Sequence, residues 1–264
     1  MILLNQHTIL QNLKYCKSTL PVEIICLNEV DSTNNFLKTY SNKKNKIRSI
    51  VCCAETQTLG RGRYNRIWAS PYGVNIYMSI RCQINCAANK LGPVSLITAL
   101  ACLKTFKKLK ITLPIKIKWP NDLLYQDKKL GGILIEIIET SKKETTIIIG
   151  IGLNINHTPN LINDYKPITS LHEQTGKFYD RNILIAYLIN EVITTVLECH
   201  NRSTKFHEDW NQADYLKGKF VKLINGPHVI TGTADGINTD GELIIKTIAG
   251  ELNTYASGEA QQLS

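Results

Sequence analysis

Three short clusters in this chain hold residues that could do chemistry on an anion. The first is Gly60-Arg61-Gly62-Arg63-Tyr64-Asn65-Arg66-Ile67-Trp68, running on into Ser70-Pro71-Tyr72-Gly73. Its glycines let a backbone approach a ligand closely, and its arginines offer planar donors matched to carboxylate and phosphate. On composition alone, a solvated basic loop or a nucleic-acid contact fits it equally well. The second is Lys118-Trp119-Pro120-Asn121-Asp122, followed by Lys128-Lys129-Leu130-Gly131-Gly132 and on to Glu136. Two glycines at the start of a strand weaken it unless something must approach its backbone. Asp122 reads equally as a turn or capping residue. The third is Gly150-Ile151-Gly152-Leu153-Asn154, at the end of an apolar strand. It is not a dinucleotide fingerprint, because Ile155 stands where the next glycine would be and no helix pattern opens. Gly176-Lys177 is no P-loop either, since Leu171 and Phe178 occupy its glycine and hydroxyl positions.

The elements that must position these clusters can be read from periodicity. Asp31-Ser32-Thr33 reads as a helix start, with the helix over 34–40. Runs at 48–54 and 74–82 read as strands, and the polar stretch 55–72 between them as a long loop without periodicity, of the functional kind. A helix is expected over 91–109, short strands over 115–119 and 123–125, and a turn at Asp127-Lys128-Lys129. Strands follow over 130–140 and 145–153, then an amphipathic helix over 180–199 capped by Asp180. Beyond Asp214 the pattern changes to short β-runs at 220–224, 228–233, 242–246 and 252–256. Turns at Gly226-Pro227 and Thr239-Asp240-Gly241 separate them. This predicts a β-barrel of about 50 residues, the size of an SH3-like module.

Composition sets outer limits. The chain has 264 residues, long enough for one large domain and one small one. Its 43% apolar and 20% charged residues are an ordinary globular balance. No apolar run has a membrane-spanning length, and the N-terminus lacks signal-peptide features. The eight cysteines show neither a disulfide framework nor zinc spacing; Cys52 and Cys53 should face opposite sides of one strand. Buried thiols in a reducing, cytoplasmic compartment fit best. His172-Glu173 and His207-Glu208 each lack the second histidine of a zinc helix. The net charge of +9 is scattered, with solvated lysine tracts such as 43–46 and 142–143, and selects no partner.

Taken in order, the clusters resemble the biotin protein ligase family over about residues 27–264. The carrying segments are Asp31-Ser32-Thr33-Asn34, Glu55-Thr56-Gln57 through Arg63, Trp68-Ala69-Ser70-Pro71, Lys118 to Asp122, Lys129-Leu130-Gly131-Gly132 and Gly150 to Asn154. The resemblance implies an α/β catalytic domain on a mixed sheet, followed by the SH3-like barrel, with divisions at 1–28, 29–213 and 214–264. It implies ATP-dependent activation of biotin to biotinyl-5′-AMP, with Mg2+ accompanying ATP. Biotin then passes to a lysine of the biotin carboxyl carrier protein of acetyl-CoA carboxylase.

By resemblance, Lys129, Arg63 and Asp122 are catalytic. Ser32, Thr33, Asn34, Gln57, Gly60, Arg61, Gly62, Arg63 and Lys129 bind biotin. Arg63, Arg66, Trp68, Lys118, Asn121 and Asn154 serve ATP, although Trp68 also fits a core aromatic. Lys129 is expected in an exposed turn, and the 60–66 loop is expected to be mobile until ligand orders it. Asn65 stands where family loops often carry glycine, and asparagine tolerates the left-handed backbone such a position needs. No metal-ligand set is assigned. The winged-helix DNA-binding domain of many members has no room ahead of Ser32, so sequence-specific DNA binding is not expected. Homodimerisation through a sheet edge is compatible with the family but not demanded. A lipoate-type ligase and a non-enzymatic nucleic-acid-binding module remain as alternatives.

Overall fold

The computed structural model describes residues 2–16, 18, 20–41, 49–160, 167–198 and 204–263. The lysine tract at 43–46 and Cys199 lie outside them. In chain order the elements are α1 (Gln6–Tyr15), β1 (Val22–Val30), α2 (Thr33–Thr39), β2 (Ser49–Gln57), β3 (Ile76–Ile84), α3 (Val94–Lys108), β4 (Lys116–Lys118), β5 (Asp122–Tyr125), β6 (Lys128–Thr140) and β7 (Thr145–Leu153). Then come α4 (Leu171–Thr175), α5 (Arg181–Leu197), α6 (Thr204–Ala213), β8 (Phe220–Asn225), β9 (His228–Ile237), β10 (Leu243–Lys246), β11 (Leu252–Tyr255) and β12 (Glu259–Gln262).

Strands β1 to β7 form one mixed sheet in the order β1-β2-β3-β7-β6-β5-β4, with only β1 and β2 parallel. Side chains alternate between its two faces. On one face, Val51, Cys53, Met78, Ile80, Ile147, Ile149 and Ile151 join the main core with α1, α3 and α5. On the other, Ile50, Cys52 and Ile148 pack under Leu37 of α2. Cys52 and Cys53 therefore face opposite sides, as their adjacency requires. Burial pushes the Cys26 thiol up to about 11 and those of Cys52 and Cys102 to about 12, which leaves them unreactive.

The second sheet is antiparallel, in the order β11-β10-β9-β8-β12. Four of its strands match the expected β-runs. The fifth, β12, is too polar in sequence to signal a strand; it forms because its backbone pairs with β8 from Val221 to Ile224. Helices α4 and α6 were likewise not expected. The expected boundary at residue 28 falls inside β1, which is the edge strand of the large sheet rather than part of a separate lead-in. Asp180 caps α5 by accepting from Asn182 N, as its position implied.

A buried ion pair fastens the N-terminal residues to this sheet. Arg181, at the start of α5, donates to Glu55 Oε2 of β2 at 2.6 Å and to the carbonyl of Ile2 at 2.9 Å. Glu55 Oε1 accepts from Leu4 N at 2.5 Å. Removing one partner of such a pair leaves an uncompensated charge in a dry site, at a cost of about 3–5 kcal/mol. Arg181→Ala should lose stability in that range by urea denaturation, and Glu55→Gln added to it should recover part. A loss below about 1 kcal/mol, within the ordinary scatter of point substitutions, would show that the pair does not hold this end of the chain.

Candidate active site

The face of the large sheet that carries α2 changes character along its length. Rows across β3, β7 and β6 read Arg81, Ile148, Glu136; then Ser79, Gly150, Leu134; then Tyr77, Gly152, Gly132. The first row lies under α2, while the glycine rows floor a cavity of about 340 Å3. The glycines are there for clearance. A Cβ on Gly152 would lie 2.5 Å from the Trp68 indole, and one on Gly150 would lie 2.5 Å from Asn34 Oδ1. At Gly131-Gly132, where the sequence implied a close approach, a Cβ on Gly131 would collide with the Leu153 side chain and one on Gly132 would lie 3.5 Å from the Trp68 indole.

Helix α2 presents its N-terminal turn to the cavity. Ser32 occupies the N-cap position but makes no capping hydrogen bond with its side chain. Gln57 of β2 caps instead: its Oε1 accepts from Thr33 N at 2.9 Å and from Thr33 Oγ1 at 3.1 Å. At the other end, Arg81 donates to the carbonyls of Leu37 and Tyr40 at 2.9 and 2.7 Å, a cation placed where the helix dipole favours one. Asn34 has both ends of its amide engaged. Its Oδ1 lies 2.5 Å from Ser79 Oγ, and its Nδ2 donates to Glu136 Oε2 at 2.7 Å.

The arginine stretch 60–68 is not the structureless loop expected from its composition. Arg61 and Ile67 form a bridge, Trp68 N donates to Gly60 O at 2.9 Å, and Gly62 N donates to Arg66 O at 2.7 Å. Its tip is a 3-10 turn, Arg63–Asn65, in which Tyr64 and Asn65 both have φ of 56°. Asn65 supplies the left-handed tolerance anticipated for it; Tyr64 holds a conformation unusual for a bulky residue. The arginines diverge. Arg61 reaches Asn35 Oδ1 at 2.5 Å on α2. Arg63 reaches the Gly258 carbonyl at 3.2 Å, and Arg66 pairs with Glu259 of β12. The second sheet thus forms part of the cavity wall, with Glu259, Ala260 and Gln261 lining it.

Lys129 is not in the turn expected for it. The turn is Gln126-Asp127, both left-handed, and Lys129 lies half-buried in β6. Between Leu123 and Leu124 the β5–β6 register shifts, so that Leu123 pairs with Gly131 but Leu124 with Lys129. Such a bulge re-aims a side chain. Lys129, three residues before Gly132, is turned toward the same face, where a Cβ on Gly132 would lie 3.4 Å from its Nζ. Its ammonium is 2.7 Å from Asp122 Oδ1 and 5.4 Å from the Trp68 ring centre.

Every residue put forward from the sequence lines this cavity except Gly60, where an added Cβ would lie 2.6 Å from the Trp68 carbonyl oxygen. Two of them are tied to backbone within it: Asn121 Nδ2 donates to Ile133 O at 2.9 Å, and Asn154 Nδ2 to Thr169 O at 3.0 Å. Among the described residues, Arg61 Nε and Trp68 Nε1 are buried without a hydrogen-bond partner. Both residues line the cavity, and an orphaned buried donor facing a cavity calls for an acceptor from a ligand. Ser79 and Glu136 were missed as site residues. Ser79 carries no sequence signal; Glu136 closes the second cluster but is separated from its glycines by an apolar run.

A cavity of this size, with an apolar floor, convergent donors and a lysine–aspartate pair on one wall, has the form of a small-molecule site open to an anion. Residues 27–154 match the model of the Biotin/lipoate A/B protein ligase family. The bifunctional ligase/repressor BirA of Escherichia coli (strain K12) is 32% identical over 235 residues, covering 87% of this chain and 71% of that protein. The biotin--[acetyl-CoA-carboxylase] ligase of Mycobacterium tuberculosis (strain ATCC 25618 / H37Rv) is 27% identical over 239 residues, covering 89% and 87%. The biotin protein ligase from Aquifex aeolicus, solved in complex with biotin and ATP, superposes with a TM-score of 0.76 at 29% identity, covering 90% of this chain and 97% of that one. The chain belongs to the biotin/lipoate A/B protein ligase family.

The clearance at Gly152 can be tested directly. Gly152→Ala puts a methyl group where the Trp68 indole lies, and overpacking of this kind costs about 1–3 kcal/mol. The protein should stay folded while the Trp68 indole N–H resonance and fluorescence move away from their parent values. An unchanged Trp68 signal would show that the indole does not rest on β7.

Proposed function

We infer that this chain is a biotin protein ligase. It activates biotin with ATP and transfers the biotinyl group to a carrier-protein lysine. The family assignment and the likeness to a ligase solved with biotin and ATP support the class of reaction. The observation that carries the site is the β6 bulge, which turns Lys129 into a glycine-floored cavity with Asp122 2.7 Å away. The carrier is taken to be the biotin carboxyl carrier protein of acetyl-CoA carboxylase, in keeping with the name of the M. tuberculosis relative.

The first step joins two anions. A biotin carboxylate oxygen bonds to the α-phosphorus of ATP, and the bond to the bridging oxygen breaks with release of pyrophosphate. Lys129 offsets the repulsion at the carboxylate and then at the adenylate phosphate, as a fixed donor. Asp122 holds the ammonium in place. In the second step the carrier lysine amine attacks the acyl carbon, AMP leaves, and the amine gives up a proton, for which Asp122 is the nearest carboxylate to Lys129. Ser32, Thr33 and Gln57 form the polar end that receives the ureido ring. Arg61 Nε and the backbone of 61–62 face the biotin chain. Arg63, Arg66, Trp68 and Lys118 serve the nucleotide, with Asn121 and Asn154 shaping the wall through their backbone contacts. Residues 29–213 supply the chemistry, and 214–264 add a wall to it.

Magnesium would enter with ATP. Among the described residues no group of three His, Cys, Asp or Glu side chains could hold a metal. A hard cation that keeps several waters and binds chiefly through substrate phosphates needs no such group. Asp122 is the acidic side chain on the β5 wall available to it. The ion would neutralise phosphate charge.

Purified protein should release pyrophosphate from ATP when biotin is added and not when lipoate replaces it; the reverse preference would move the chain to the lipoate branch of the family. Lys129→Ala should lower that rate by about 10²–10³, the usual consequence of losing one donor aimed at developing charge. Its thermal midpoint should change little, since the side chain is only half-buried. Pyrophosphate release at the parent rate by this variant would remove Lys129 from the chemistry.

A further inference from the structure

Glu136 does not line the cavity, yet two residues that do, Asn34 and Arg61, meet at its carboxylate, joined there by Lys38 from outside the cavity. Its Oε2 accepts from Asn34 Nδ2 at 2.7 Å, and its Oε1 from Lys38 Nζ at 2.7 Å. Arg61 Nη2 stands 3.5 Å from Oε1. Asn34 is in turn held by Ser79 Oγ and rests on bare backbone at Gly150, where no side chain could be accommodated. The anchor therefore runs from β6 through Glu136 and Asn34 to β3, and it fixes α2 on the sheet at the turn that presents Ser32 and Thr33. The same carboxylate faces Arg61, whose Nε is buried without a partner at the cavity.

We propose that Glu136 is a positioning residue for the biotin end of the site, acting through Asn34 and Arg61 and taking no part in the chemical step. This rests on the function inferred above. Distance separates the two roles. Glu136 is four residues along β6 from Gly132, or about 13 Å at the rise of a strand, too far to touch the atoms handled by Lys129. Charge points the same way. Burial alone would raise this carboxyl, but hydrogen bonds from Lys38 and Asn34 and the charges of Lys38 and Arg61 overcome it and hold the group below the ordinary glutamate value. Glu136 is thus an anion at working pH, set between two cations. Neutralising it removes the charge that faces Arg61, which keeps its hydrogen bond to Asn35 Oδ1, while leaving an oxygen for Asn34.

The test is steady-state pyrophosphate release by Glu136→Gln, with biotin and ATP varied separately and thermal midpoints recorded. The KM for biotin should rise about tenfold, the size of one charge-assisted hydrogen bond. The KM for ATP and kcat should stay within about twofold. Lys38→Met, which removes the cation outside the cavity, should leave the KM for biotin within about twofold. Should Glu136→Gln fail to fold, Glu136→Asp, which keeps the charge and withdraws it by one methylene, should show the same selective rise at smaller amplitude. A biotin KM unchanged in the folded variant, or a fall in kcat with both KM values unchanged, overturns the proposal. If the parent protein releases no biotin-dependent pyrophosphate, the inferred function falls first and this proposal falls with it.

Discussion

The site depends on a stretch of sheet that carries no side chains. Gly132, Gly150 and Gly152 lie on neighbouring strands and on one face, and the space they leave is occupied by an indole and an amide brought from elsewhere in the chain. A sheet interior does not favour glycine, which adds entropy to the unfolded chain and packs nothing. The neighbouring positions compensate. Ile147, Ile149 and Ile151 alternate with the glycines of β7 and bury completely on the opposite face. One strand therefore anchors the core with one side and opens a cavity with the other, and the two demands never meet at the same residue.

Polar contacts carry the rest. Helix α2 is only seven residues long, too short to persist on propensity alone. It is held at its start by Gln57, in its first turn by Asn34 between Ser79 and Glu136, and at its end by Arg81. These partners come from β2, β3 and β6, so the sheet positions the helix rather than the helix covering the sheet. Side chains locked in this way let a binding turn sit on a rigid frame.

Much of the site was legible because it is built from residues that are unusual where they stand. Glycines inside strands, arginines beside glycines and an aspartate beside a lysine each break a local rule, and such breaks concentrate at functional sites. Strands β2 to β7 of the large sheet were legible from period and length. What escaped depended on partners distant in sequence. The β6 bulge is set by register against β5, and no pattern in 127–131 marks it, so Lys129 read as a turn residue. Strand β12 is polar and exists through pairing with β8. Ser79 is an ordinary strand serine until α2 is folded above it. The arginine stretch read as an irregular loop because its hairpin rests on backbone bonds, and these leave no trace in composition.

Strand β12 gives the wall an order in time. Its residues 259–261 line the cavity, and Glu259 receives Arg66 from a stretch of chain nearly two hundred positions earlier. As a chain emerges from the ribosome, N-terminal parts fold first. A nascent chain that has reached residue 250 already contains the residues of the glycine floor, the lysine–aspartate pair and the arginine hairpin. It still lacks the surface against which two of those arginines are set. The cavity is therefore open on one side until residues 259–261 have been made and β12 docks on β8. The side of the cavity that β12 closes is thus added after its floor and its lysine wall.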